Sequence, residues 1–318
     1  MNRSGLTGAA RLGLGTALLM FALIVIGAAV RATGSGLSCP DWPLCQGRLI
    51  PPFEFHVLIE WCHRLVALMV GIMLATTALW VWTHTEARRR LGALAAFAIV
   101  LYFVQALLGA LTVWKLLSPA MVSSHLAVGT LLFATLLTLS LRAAEGAQSE
   151  RTASADAIHA SWAGPRPADL LPLAALATLW TWAQIVLGGV VSSTHAGLAC
   201  PDWPTCDGRW LPPWDGPAAL QMAHRFSAYG LFVVMLLTAL RARRAGDPRV
   251  AASASMALGQ TAFQMLLGVA NVMLGTPVWL SVLHLGTAAA ILALNVFTLF
   301  GASRLPAWRP ELRAAEAR

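Results

Sequence analysis

The chain has 318 residues, 58% of them hydrophobic and only 11% charged. That balance excludes an ordinary soluble domain and indicates a polytopic membrane protein. The net charge of +8 does not point to nucleic acid, because the basic residues gather in alternate loops between apolar stretches.

A membrane-spanning helix needs roughly 20 apolar residues. The first such stretch, 13–30, follows Arg3 and Arg11 and superficially resembles a signal peptide. Its repeat partner at 170–191 lies mid-chain, so the first stretch reads as a retained helix. Further spans are predicted at 58–82, 92–114 and 121–141, the last starting from a Pro-containing turn. Residues 142–169 are rich in Ala, Ser, Pro and charge and read as a cytoplasmic linker. Spans at 170–191, 219–240, 251–274 and 280–301 follow, then a cytoplasmic tail at 303–318, expected as a short helix of unassigned role.

Residues 30–52 read VRATGSGLSCPDWPLCQGRLIPP and residues 191–213 read VSSTHAGLACPDWPTCDGRWLPP. Each copy is followed by a His-Arg pair, His63-Arg64 and His224-Arg225. A repeat this long sets the architecture: an all-α polytopic membrane protein of eight transmembrane helices, arranged as two pseudo-two-fold related four-helix bundles. The N-terminal half is 1–141 and the C-terminal half 170–302. Arg88, Arg89, Arg90, Arg241, Arg243, Arg244 and Arg249 lie in even-numbered loops, whereas the odd-numbered loops hold Arg31, Arg48, Lys115 and Arg209. By the positive-inside rule both termini are cytoplasmic and both cysteine loops face the periplasm. Trp42, Trp61, Trp203, Trp210 and Trp214 then mark the outer membrane boundary, where indole is favoured.

Each half carries two histidines in apolar helices, His63 and His125, then His224 and His284. Imidazole is costly in hydrocarbon without a partner. One such His is as well explained by packing. Four at matched positions point to axial ligation of two hemes, since helix histidines are a standard way to hold heme iron. Gly109, Gly129, Gly268, Gly275 and Gly286 would let a flat macrocycle approach the backbone, or simply let helices pack. Arg64 and Arg225 suit contacts to heme propionates or snorkelling to the interface. Gln105 and Gln264 are repeat-matched and suit bonds across helices.

The halves differ at one telling position. Glu60 precedes His63 by three residues, on the same helix face; its repeat mate is Gln221. Glu can exchange a proton and Gln cannot, so the first half reads as the chemical site and the second as a redox or structural heme site.

Cys39/Cys45 and Cys200/Cys206 lie in the outward loops, where an oxidising compartment favours disulfides. Such small rings give limited entropic stabilisation, so a redox-active pair stands beside a structural staple. A four-cysteine zinc site lacks the usual spacing. Cys62 has no repeat mate and is expected to be a buried free thiol.

The loop TGSGLSCPDWPLC, the E-x-x-H-R of Glu60–Arg64 and one His in each even-numbered helix resemble the heme A synthase family. The likeness runs from the first helix to the eighth. It implies oxidation of a ring methyl of heme O to formyl, giving heme A for terminal cytochrome oxidases. It also implies that His63 and His125 bracket the substrate heme, that Glu60 is the catalytic acid, and that His224 and His284 ligate a permanent heme b. Cys39 and Cys45 match a loop pair that some members use in a redox role or in heme handling; not all members carry a second pair like Cys200 and Cys206. Pathway logic adds the heme O-forming protoheme farnesyltransferase and an electron-transfer component as partners, and small membrane-facing residues permit a homo-oligomer. Two other readings stand beside this one. An electron-transfer cytochrome b explains the histidines without Glu60, and a membrane thiol oxidoreductase explains the cysteines alone.

Overall fold

The computed structural model describes residues 4–152, 167, 169–213 and 215–305. Trp214, most of the expected linker and the tail from 306 onward lie outside the described residues. The helices are α1 Ser4–Ala32, α2 Phe55–Thr83, α3 Thr85–Trp114, α4 Pro119–Thr152, α5 Leu170–Ser193, α6 Gly216–Arg244, α7 Pro248–Met273 and α8 Val278–Arg304. All eight are long and apolar enough to cross a membrane. Even α5, with 24 residues, extends about 36 Å at 1.5 Å per residue, more than the ~30 Å hydrocarbon core.

Local chemistry sets the helix ends. Asp247 caps α7, its Oδ1 accepting from the backbone N–H of Arg249 at 2.8 Å and Val250 at 3.0 Å, with Pro248 at the first helical position. The turns into α4 and α8 match each other. Leu117 and Thr276 both take positive φ, and their N–H groups donate back to Thr112 and Asn271 carbonyls at 2.8 and 2.7 Å. Pro119 then opens α4 and Pro277 precedes α8, so the Pro-containing turns mark both starts.

Within the first half α1 packs on α2 and α4, and α3 packs on α2 and α4, closing a four-helix ring. The second half repeats this with α5 through α8. The halves meet where α1 packs on α8 and α4 on α5, with α4 against α8 between them. One buried apolar cluster, including Met20, Leu132, Leu136, Ile185 and Leu292, crosses that seam. The pairing is that of two bundles related by a pseudo-two-fold axis. Large apolar side chains such as Leu68, Ile72, Phe103 and Leu107 cover the outer faces of α2 and α3, as lipid requires.

Two local expectations change. Residues 142–152, expected as linker, continue α4. Ala143 and Ala147 are buried there against Leu6 and Ala9 of α1, so good helix formers gain tertiary support beyond the apolar span. Cys62 is exposed rather than buried. It lies two residues, about 200° of helix, from buried Glu60, and so faces outward.

Candidate heme-binding site

The two cysteine loops fold alike, for a reason written in their shared motif. Cys39 and Cys45 form one disulfide and Cys200 and Cys206 another, all four sulfur-bearing residues buried. The aspartate of each C-P-D-W-P holds the turn. Asp41 accepts from the N–H groups of Gln46 and Gly47 at 2.6 and 2.8 Å; Asp202 accepts from Asp207 and Gly208 at 2.9 and 3.1 Å. Gly47 and Gly208 take φ of +70° and +73°, the left-handed region that glycine adopts without strain. Cys45 pairs with Arg48 and Cys206 with Arg209 through short antiparallel bridges.

These bonds set how the loops respond to acid. The Asp202 carboxyl is pulled down to about 2, first by the Thr205 hydroxyl, then by the Gly208 and Asp207 N–H groups. Asp41 is likewise lowered, chiefly by the Gly47 N–H. A lowered carboxylate contributes stability that is present above its unfolded value and lost as pH falls through the folded one. Reduction of the Cys200–Cys206 bond by a water-soluble phosphine should therefore be slow and flat down to about pH 4, and quicken between there and pH 2. Asp202→Asn should show the fast rate already at pH 7; equal rates for the two proteins at pH 7 would refute the clasp.

Each loop is stitched to the following helix by the arginine of its His-Arg pair. Arg64 Nη1 donates to the carbonyls of Asp41 and Leu44, both at 2.6 Å, and Nη2 to that of Cys39 at 2.7 Å. Arg225 repeats the set on Asp202, Thr205 and Cys200 at 2.9, 2.7 and 2.7 Å. The structure thus makes both arginines loop clamps. For Arg64 the four Nη N–H bonds are spoken for, the last by Glu60 Oε1 at 2.6 Å, and only Nε is left for a propionate.

Glu60 is buried, 4% exposed. Its Oε1 pairs with Arg64, and its Oε2 accepts the Cys39 N–H at 2.9 Å. In the second half Gln221 is equally buried, and its Oε1 has no hydrogen-bond partner.

The histidines lie on α2, α4, α6 and α8, which occupy opposite corners of their rings. His63 and His125 are near enough to interact electrostatically, as are His224 and His284. Each imidazole lies against a glycine of the preceding helix. A methyl group added at Gly27, Gly109 or Gly188 would fall 3.1 Å from Cε1 of His63, His125 or His224, and one at Gly268 would fall 3.2 Å from that of His284. Gly109 and Gly268 are legible in the sequence as small residues near histidines; Gly27 and Gly188 are not among those expected. The signal was present, since the loop repeat extends three residues upstream to both.

Nδ1 of His63, His125 and His284 is buried without a hydrogen-bond partner. With Nδ1 sealed inside the protein, Nε2 is the ring nitrogen these imidazoles would present to a bound macrocycle as an axial pair. The four loop cysteines are all engaged in disulfides, so their sulfurs are not thiolate ligands.

Fold and site define a class: a multi-pass membrane protein with two repeat-related histidine pairs and an acid beside only one of them. The family model described as cytochrome oxidase assembly protein matches residues 10–296. The heme A synthase of Methylobacterium sp. (strain 4-46) is 32% identical over 332 residues, covering 88% of each chain. That of Shouchella clausii is 30% identical, covering 92% of this chain and 94% of the relative; that of Shewanella oneidensis is 29% identical, covering 88% and 93%. The chain belongs to the heme A synthase family of cytochrome oxidase assembly proteins.

Proposed function

We propose that this protein acts on heme O in a bacterial membrane, oxidising one ring methyl to formyl by successive hydroxylations and loss of water, and so supplies heme A to terminal oxidases. One observation carries the division of labour. Two loop-and-helix units with the same disulfide, the same aspartate clasp and the same arginine clamp differ in presenting Glu60 in one and Gln221 in the other.

On this reading His63 and His125 take the substrate heme, and His224 and His284 take a resident heme b. A bound heme b supplies one-electron chemistry. The protein supplies orientation and proton handling. The glycines at 27, 109, 188 and 268 let the Cε1 edge of each imidazole approach the preceding helix closely. The Cys39 N–H and the Arg64 guanidinium fix both carboxylate oxygens of Glu60, so a proton moves at one defined place. The second half has an amide there and cannot exchange a proton. The electron-transfer cytochrome gives Glu60 no task, and the thiol oxidoreductase gives the histidines none.

Sidedness follows the charges: both termini and Arg88–Arg90 on the cytoplasmic face, the disulfide loops on the periplasmic face. Protoheme farnesyltransferase, as the source of heme O, and an electron-transfer component are the expected partners. Heme extraction and chromatography test the reading. Heme A should appear in the purified protein only when the host also makes heme O. Protoheme alone under both conditions would favour an electron-transfer cytochrome.

A further inference from the structure

The loop after α1 runs along the outer end of α2 in a regular register. The Cys39 N–H meets Glu60 at 2.9 Å and, one turn further out, Ser35 meets His56 at 2.8 Å. His56 and Glu60 are four residues apart and so share a helix face, separated by a rise of about 6 Å. Glu60 and Ser35 are buried, whereas His56 is exposed. Counting donors fixes the ring of His56. Thr33 Oγ1 gives its one hydrogen to the Ala29 carbonyl at 2.7 Å, so it accepts from the Ser35 hydroxyl, also at 2.7 Å. Ser35 Oγ, its own hydrogen spent, accepts from His56 Nδ1. The neutral ring therefore carries its proton on Nδ1, and the Nε2 lone pair is its basic atom. The second half keeps the disulfide, the aspartate clasp and the arginine clamp, but not this chain. Ala196 stands where Ser35 does, Pro217 where His56 does, and Gln221 where Glu60 does.

We propose that His56 is the proton port of the first half, through which Glu60 exchanges protons with water at the outer face. This rests on the assignment of Glu60 as the proton-handling group. Both carboxylate oxygens of Glu60 are held inside the protein, by the Cys39 N–H and Arg64, so a proton stored there needs a carrier to reach bulk water. The protonated carboxyl gives its proton, by way of water, to the Nε2 lone pair of His56, leaving a carboxylate and an imidazolium. The imidazolium then gives the proton to bulk water and the neutral ring is restored. Uptake runs the same steps in reverse, and no electron changes hands. Histidine suits the task because its charge changes near neutrality. Ser35 is a positioning residue, since its bond to Nδ1 keeps Nε2 as the atom that cycles.

The test uses the full chain in detergent, purified from a host making protoheme and heme O, with conversion followed by heme extraction. His56→Asn keeps a side-chain N–H for Ser35 but cannot take up a proton. It should convert heme O about 10²-fold more slowly, the lower end of what a positioned proton-transfer group contributes. Its heme content and the rate at which a water-soluble phosphine reduces Cys39–Cys45 should match the wild type. Added 2-methylimidazole, a proton carrier whose methyl group hinders iron ligation, should restore the rate of His56→Asn in proportion to its concentration and leave the wild type unmoved. A wild-type rate in His56→Asn overturns the proposal, and so does a slow variant that 2-methylimidazole does not restore. Should His56→Asn fail to load heme, His56→Gln carries the same expectation and the same refutation. Glu60→Gln in the same assay separates the two failures. If it too converts at the wild-type rate, the assignment of Glu60 has failed; if it is inactive while His56→Asn runs at full rate, only the port has.

Discussion

Glu60→Gln is expected to lower conversion of heme O by about 10²–10⁴-fold, the usual worth of a positioned acid or base, while heme b stays bound. The protein carries its own control for this substitution. In the second half an amide, Gln221, already occupies the matching position, and Arg225 still makes its bonds to Cys200, Asp202 and Thr205. The scaffold therefore accommodates glutamine without loss of the clamp. What Glu60→Gln removes is the capacity to hold and release a proton between the Cys39 N–H and the Arg64 guanidinium. Glu60→Ala is a poorer experiment, since it would strip Arg64 of its partner in a buried pair and cost folding stability as well. The measurement is heme A formed per heme b retained, by extraction and by the low-spin absorption spectrum. Activity within tenfold of the wild type, with heme b present, would rule out Glu60 as the proton-handling group.

Much of the fold is legible in the sequence because a repeat turns single residues into pairs. Eight spans, two loops and four histidines could each be checked against a mate 159 or 161 positions away, and Glu60 stood out only because Gln221 exists. Other features depend on tertiary contacts that leave little trace in the sequence. Cys62 has no mate, and only its angular offset from Glu60 on the folded helix shows that it faces outward. The extension of α4 depends on Ala143 and Ala147 meeting α1, a tertiary contact that local polarity masks. Arg64 reads as a residue suited to heme propionates because guanidinium fits carboxylates. Beside Glu60, its partners are three backbone carbonyls, which are present in every sequence and so leave no pattern. The glycine cradles were half legible, because a helical glycine signals close approach without naming what approaches.

That close approach makes the second large prediction. Gly188→Val is expected to remove heme b as completely as His224→Ala does, although it deletes no ligand. The first added carbon would lie 3.1 Å from Cε1 of His224, 3.7 Å from Nδ1 and 3.8 Å from Nε2. The imidazole cannot yield freely, since the Gln184 amide binds both its ring and its carbonyl. One carbon demands a shift of a few tenths of an ångström, so Gly188→Ala should weaken heme b rather than abolish it. Valine's two further methyls demand overpacking of a kind that costs roughly 1–3 kcal/mol, and moving the ring off the iron axis relieves that strain. Gly259→Ala is the control, because no heavy atom lies within 4 Å of an added Cβ there, and helix propensity alone makes it neutral or slightly stabilising. The ratio of Soret to protein absorbance, read after purification from a host that makes only protoheme, orders the four proteins. Full low-spin heme in Gly188→Val would mean that His224 does not need its cradle. The glycines would then be packing residues, and the histidine geometry would have to be set by the glutamines alone.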